Sequence, residues 1–508
     1  MNWKHGYYAD SGYTYGYYVE AMPLRLHWAA LIQGQLTPTH RFRYVDVGCG
    51  QGFNLILAAA AHPDSEFIGI DFMPSHIAHA RDLAARCGLS NITFIEADFV
   101  TLASDQATVK SLGEFDYVVC HGISTWISQK VKKSLFTLVG SILKPGGLFY
   151  NSYNTLPGWL NMAPFQHLVR LLQQNNSGLE AITKAQSLMD TLVKFSPLGQ
   201  HFPTLKERVG SLMELDPTYL VQELNNHFWE PVFVSQMIDD LALVKLDYLG
   251  TATLSEIFLD TLPPEIAILL ENITDPKLKL QMRDYAVYKS FRRDLYVKGI
   301  LPVWREQLRE QILNTRFVAD PMVKRPEVDQ GYRFSSGLVE VDGNYELCSA
   351  IVQQMDVPGG LSLRELNRLN KEFSYSSLSK MASLLLSGGW LRFYKDVDFS
   401  SSVNKGISNA VIQGAPYHCL SAPRAGSAIY LRDLEIMFAN ACFQAIPQRE
   451  WPSFVSGVLH GLGGALMKEG EKIADPKMSL ELLEAEMEIF KKHIPWLVAM
   501  GVLPELSL

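Results

Sequence analysis

The sequence predicts a doubly wound α/β sheet over roughly residues 38–155, then a mostly helical middle region and a C-terminal region of mixed α+β structure. Three observations carry this. Apolar strand runs alternate with helical patterns from Arg41 onward, the mark of crossover units and a parallel sheet. A glycine-rich turn, residues 46–52, follows the first strand, where open parallel sheets bind their ligands. Past Trp159 the alternation gives way to Leu, Gln, Glu and Lys at helical spacing.

In chain order, the strand "FRYVDVG" leads to a helix over 54–61, and "EFIGID" to a helix over 74–87. The strand "ITFIEAD" follows, then "FDYVVCHG", a helix over 130–143 and "LKPGGLFYNSYN", in which residues 144–147 turn into a fifth strand. Residues 316–337 carry two prolines and many charges with few clustered apolar residues, so they are the best boundary candidate. The expected division is 1–160, 161–325 and 326–508. In the last part, residues 361–393 have the rhythm of a winged helix: helix, helix, short hairpin. A DNA-reading helix needs basic and amide side chains on its exposed face, and this one offers Lys380 alone, which favours a packing or interaction module. A terminal helix is expected over 478–500.

With 47 % hydrophobic and 19 % charged residues, the chain is a multidomain globular protein with no apolar run of the ~20 residues needed to span a bilayer. The start lacks the pattern of a secretory signal and the six cysteines are scattered, so a cytoplasmic setting with reduced thiols is expected. No Cys-x-x-Cys pair or His-x-x-x-His spacing appears, and no metal site is expected. A formal charge of −8 argues against a nucleic-acid partner held through its phosphates.

The glycine turn "DVGCGQG" spaces Gly48, Gly50 and Gly52 differently from the dinucleotide fingerprint, so a pyrophosphate is not the expected guest. Asp71, at the end of the second strand, is placed to accept hydrogen bonds from both hydroxyls of a ribose. Asp98, at the end of the third, is placed to pair an adenine amino group, with Phe99 beside the ring. No Arg or Lys stands in the glycine turn or directly after Asp71, where Phe72 and Met73 follow, so a polyphosphate lacks counter-charge. An adenosine bearing a sulfonium needs none.

Turn, Asp71, Asp98 and "LKPGG", in this order, resemble the class I S-adenosylmethionine-dependent methyltransferases, with their Rossmann-like sheet, over roughly residues 40–155. The segments "FDYVVCHGISTWI" and "SYNTLPGW", and residues 219–252, are similar to the subgroup in which a methyltransferase regulatory domain follows the catalytic one, rickettsial protein-lysine methyltransferases among them. The resemblance implies S-adenosyl-L-methionine as cofactor, with Asp46, Gly48 and Gly50 by its methionine part, Asp71 and Phe72 by the ribose, and Asp98 with Phe99 by the adenine. Members often have Tyr-Ser-Trp where this chain has Ser124-Thr125-Trp126, and "YTYGYY" replaces their N-terminal Tyr-Pro-Tyr-Pro, which leaves the acceptor as the least transferable property.

The loops after the fourth and fifth strands face the methyl group. Trp126 and Tyr153 are candidate walls for an alkylamine, Asn154 a candidate to orient its lone pair, and His121 a candidate base or cofactor neighbour. The aromatic N-terminal segment, with Tyr7, Tyr8, Tyr13, Tyr15, Tyr17 and Tyr18, reads as a packed segment or as a lid, Tyr15 being the candidate cofactor contact. The expected activity is N-methylation of protein lysine; the alternatives are a small-molecule or carbohydrate acceptor, and a non-catalytic interaction protein. Residues 160–330 show no cluster of ionisable groups for the sheet's open edge, so they are expected to serve stability or assembly, including a homodimer, rather than chemistry.

Overall fold

The computed structural model describes residues 13–300, 303–336, 339–468, 471–473 and 475–505, so Tyr7 and Tyr8 lie outside the described residues. Its centre is a seven-stranded sheet of order β3-β2-β1-β4-β5-β7-β6. Strands β1 (Arg43–Val47), β2 (Glu66–Asp71), β3 (Ile92–Glu96), β4 (Phe115–His121) and β5 (Leu143–Asn154) are parallel, as the alternating pattern predicted. In β1, Tyr44, Val45, Asp46 and Val47 are all buried, as a central strand covered by helices on both faces must be. Strand order reverses between β1 and β4, and this switch point opens the cleft described below.

Helices α1 (Pro23–Ile32), α2 (Phe53–Ala61) and α3 (Pro74–Arg86) pack on one face through Leu26, Leu55, Ile56 and Ile77. Helices α4 (Phe99–Ser104), α5 (Gln106–Leu112) and α6 (Gln129–Ile142) cover the other through Leu102, Val109 and Leu135. The turn expected at residues 144–147 is present as an irregularity inside β5. Gly146 has φ +77°, and the register with β4 jumps from Phe115↔Leu143 to Tyr117↔Leu148.

The middle region departs from the helical reading in one respect. Helices α7 (Ala163–Leu172), α8 (Gly178–Phe195), α9 (Pro197–His201), α10 (Leu205–Met213) and α11 (Pro217–Leu224) enclose a core of their own around Phe165, Ile182 and Leu220. Beyond them, β6 (Asp247–Thr251) and β7 (Phe291–Val297) return to the main sheet, β7 antiparallel to β5 from Leu148↔Val297 to Asn154↔Phe291. The sequence "FRRDLYV" hides this strand because Arg292, Arg293 and Asp294 break its apolar run. In the fold, Arg292 and Asp294 are buried against each other, with Nε 2.9 Å from Oδ2.

The segment read as a linker, 316–337, begins with β8 (Arg316–Ala319) and holds β9 (Tyr332–Ser336), which pairs with β10 (Val339–Gly343). Instead of a hairpin after two helices, single strands β11 (Leu361–Ser362) and β12 (Leu391–Tyr394) flank β8. Lys380, on the helix Tyr375–Ser387 between them, forms an ion pair with Asp260 and lies over the Phe258 ring. On the same helix, Ser383 accepts a hydrogen bond from Trp28 Nε1 at 3.0 Å. This module packs on α1 through Trp28, and its would-be DNA-reading cation is engaged internally. Strands β13 (Cys419–Ala422) and β14 (Ser427–Tyr430) pack on α2, and the terminal helix spans Pro476–Ala499. Among the described residues no helix is long and apolar enough to cross a membrane.

Candidate active site

A cleft opens at the carboxyl ends of the strands, lined by Gly48, Gly50, Asp71, Phe72, Asp98, Phe99, His121 and Trp126, with Tyr13, His76, Ile123, Ile127 and Val131. An adjoining recess carries Asp46, Tyr18 and Asn54. The glycine turn makes room by geometry. Gly48 has φ +85°, and a Cβ there would meet Ile123 Cδ1 at 1.9 Å; Gly52 has φ +74°, and its Cβ would lie 2.6 Å from that of Ala80. Both positions need a residue free to adopt positive φ with nothing in the side-chain space.

Asp71 locks this turn. Its Oδ2 accepts the Gly50 N–H and its Oδ1 the Met73 N–H, each at 2.9 Å, and His76 Nδ1 stands 3.3 Å from Oδ1. Asp98 caps α4, accepting the Thr101 N–H at 2.9 Å, which fixes where its carboxylate sits. Asp46 is buried with Oδ1 lacking any hydrogen bond; burial, reinforced by the charge of Asp71, lifts its carboxyl to about 7. His121 stacks on Tyr18 with ring centroids 3.8 Å apart, and its Nδ1 lies 3.0 Å from the hydroxyls of both Tyr150 and Ser152. Burial, with the positive charge of Arg293 behind it, drives His121 down to about 3.

Residues 39–214 match the model of a methyltransferase domain, and residues 216–298 that of a predicted methyltransferase regulatory domain. The chain is an S-adenosylmethionine-dependent methyltransferase. An uncharacterised protein of Synechocystis sp. is 28 % identical over 522 residues, 99 % of this chain and 100 % of that protein. An uncharacterised protein of Rickettsia prowazekii is 25 % identical over 352 residues, 67 % of this chain and 62 % of that protein. PKMT2 from Rickettsia typhi, solved in complex with AdoHcy, shares the fold with a TM-score of 0.71 at 18 % identity, covering 97 % of this chain and 99 % of that one.

The methyltransferase cleft fits its cofactor on its own terms: the orphaned Asp46 Oδ1 is an acceptor awaiting a donor, and the emptied side-chain space at Gly48 brings backbone to the ligand. Several expected site residues stand elsewhere. Tyr15 packs on His79 and Tyr417, outside the cleft lining; among the described residues Tyr13 lines the cleft and Tyr18 the adjoining recess. Tyr153 is not a wall of the acceptor pocket: it is fully buried on the opposite face of β5, where its hydroxyl donates to Asp294 Oδ2 at 2.7 Å. Side chains alternate along a strand, so Tyr150, Ser152 and Asn154 share the His121 face while Phe149, Asn151 and Tyr153 face α6. A Tyr153→Phe variant should therefore lose about 1–3 kcal/mol of stability, since Asp294 keeps its burial but loses a donor. Urea denaturation and AdoHcy calorimetry check this, with donor affinity expected to stay unchanged.

Burial also disfavours a base role for His121, since it drives the ring down to about 3 and makes its protonated form costly. Asn154 lies on the His121 face of β5 but outside the cleft lining, and it meets a residue that was not expected. Its Nδ2 donates at 2.7 Å to Oε1 of Glu223, a residue of α11 that is only 2 % exposed. The middle region thus sets an ionisable pair against the end of β5, with Tyr219 donating to Glu223 Oε2 at 3.3 Å, and it also ties down the loop after β4, where the Glu230 backbone N–H donates to the Thr125 carbonyl. In sequence, "YLVQELNNHFW" reads as an ordinary amphipathic turn, and nothing local marks Glu223.

Proposed function

We propose that the protein N-methylates lysine side chains of a protein substrate. The observation that carries this is the lining of the cleft beside His121. Trp126, Ile123, Ile127 and Tyr18 form an aromatic and aliphatic wall, and the lining among the described residues holds no Lys or Arg to repel an ammonium. The likeness over nearly the whole chain to PKMT2 of Rickettsia typhi supports the same reading. In our reading, Asp71 holds the ribose, Asp98 and Phe99 the adenine, Asp46 the methionine ammonium, and Phe72 flanks the ribose. Bound there, the donor supplies a methyl carbon made electrophilic by its sulfonium. The chain's residues bring a neutral amine into line with it and exclude water. His121, kept neutral and stacked under Tyr18, serves as a fixed wall rather than a proton carrier. We also keep the division into 1–160, 161–325 and 326–508 as our reading of the chain's organisation, with β6 and β7 lent by the second unit to the sheet of the first.

Incubating the enzyme with isotopically labelled donor, protein and peptide pools, and metabolite extracts tests the assignment. Label on lysine is expected; label on metabolites alone would refute it. Asn154→Ala should leave AdoHcy affinity nearly unchanged, since no adenine or ribose contact is assigned to β5. Single-turnover transfer should fall on the order of a hundredfold, as for loss of one preorganised hydrogen bond in a dry site. A normal rate in that variant would remove Asn154 from the acceptor site.

A further inference from the structure

Glu223 is a buried carboxylate with no cation beside it. Two donors hydrogen-bond to it: the Asn154 amide of β5 at 2.7 Å and the Tyr219 hydroxyl of its own helix at 3.3 Å. Among the described residues no Lys, Arg or His pairs with it. Taking a carboxylate out of water without a counter-charge costs several kcal/mol, and two neutral donors offset part of that cost. Two neighbouring groups are likewise incomplete. The Trp229 Nε1 is buried without a hydrogen bond of ordinary geometry, and Asn225, 4 % exposed, has no hydrogen bond at either amide atom. The position is tied to the cleft through β5: Asn154, which holds Glu223, lies two residues along the same strand face from Ser152, whose hydroxyl stands 3.0 Å from Nδ1 of His121, and His121 lines the cleft.

We infer that Glu223, carried by the regulatory region, is the carboxylate that receives the acceptor's ammonium and takes its proton. This rests on the amine-acceptor reading above. A carboxylate held by neutral donors alone selects a cation, because only a cation supplies the missing charge. The step balances as follows. The ammonium gives one proton to a Glu223 oxygen and becomes a neutral amine. The nitrogen lone pair forms the N–C bond to the donor methyl, and the C–S bond breaks with its electron pair left on sulfur. The positive charge passes from sulfonium to methylammonium, and Glu223 returns its proton to water when product leaves. Burial lifts the Glu223 carboxyl to about 7, which matches it to proton exchange near neutrality. The titratable groups facing it are Tyr219 on its own helix and, beyond, Tyr18 and His121; none of these carries charge at pH 7 in this setting, the tyrosines being raised and His121 depressed by burial.

The test is Glu223→Gln, which keeps an oxygen for Asn154 and is close in shape. Three quantities are compared with wild type: AdoHcy affinity by calorimetry, melting temperature, and single-turnover transfer to a lysine peptide pool across pH 5.5–9. The expected result is affinity within about twofold, an unchanged melting temperature, transfer slowed at least about a hundredfold, and loss of the rate limb that rises through pH 7. Glu223→Asp should recover part of the rate. A Glu223→Gln enzyme that transfers to lysine at the normal rate, or that keeps the rising limb, overturns the inference. So does one that is slow only in proportion to a lowered melting temperature or weakened AdoHcy binding. If the wild-type enzyme labels no lysine, the amine reading fails and takes this inference with it, an outcome distinct from failure of Glu223 alone.

Discussion

Replacing Asp71 with Ala should lower the affinity for AdoHcy about a hundredfold or more with the fold retained. In the proposed binding mode two ribose hydroxyls each lose a charged acceptor, and each such hydrogen bond is worth roughly 1.5–3 kcal/mol. Every 1.4 kcal/mol or so is tenfold in affinity. The structure adds a second loss, because the same carboxylate ties the Gly50 and Met73 amides, so the variant also loosens the turn that cradles the ligand. Asp71→Asn separates the two: it keeps one acceptor oxygen, so it should retain one of the two amide bonds and fall between wild type and Ala. Calorimetry with AdoHcy on both variants measures this, and unchanged affinity in Asp71→Ala would refute the ribose assignment.

Replacing Arg292 with Ala should cost about 3–5 kcal/mol of stability, the range for breaking a buried ion pair by removing one partner. Arg292 is buried between Asp294, Asp284 and the Tyr248 hydroxyl, which stands 3.0 Å from Nη2. Without it two carboxylates remain in the interior beside the Tyr153 hydroxyl. The pH dependence has a definite sign. Folding raises the Asp284 carboxyl to about 6 through burial, despite the opposing charge of Arg292. The folded chain therefore holds a proton that the unfolded chain releases between about pH 4 and 6, so this group's contribution to stability falls as pH rises through that window. Removing Arg292 raises the folded value further and extends the window upward. Urea midpoints should show Arg292→Ala closer to wild type at pH 5 than at pH 8. Adding Asp284→Asn and Asp294→Asn to Arg292→Met should recover much of the loss, since no charge is then left unpaired. A midpoint unchanged at both pH values would show that the pair carries no stability.

Both predictions concern groups whose chemistry is visible in the sequence but whose surroundings are not. Asp71 and Asp98 were legible because each ends a strand of a regular alternation, and a parallel strand's end lies at the ligand face whatever packs around it. Gly48 and Gly52 were legible for a related reason: a strand-to-helix turn this tight needs positive φ, and glycine adopts it without a Cβ penalty. Tyr15, Tyr13 and Tyr18 were not separable, because a run of tyrosines without regular structure has no periodicity to say which ring faces inward.

By itself, the sequence determined the five parallel strands, three of their four crossovers as helices, the glycine turn and the two acids that follow it, all of them consequences of local pattern and of short-range chain geometry; the short helices α4 and α5 between β3 and β4 emerged only in the structure. The tertiary structure alone decided three things. It put Tyr153 and Asn154 on opposite faces, since a period of two makes the assignment depend on which face each residue of β5 meets. It brought β6 and β7 back to the sheet across more than ninety residues of largely helical chain, a pairing whose signal was masked by the charges of Arg292, Arg293 and Asp294 until burial paired two of them. It also set Glu223 against Asn154, 69 residues away in the chain. A carboxylate's meaning depends on whether water or a low-dielectric interior surrounds it, and that is a property of the packed molecule, which no local pattern encodes.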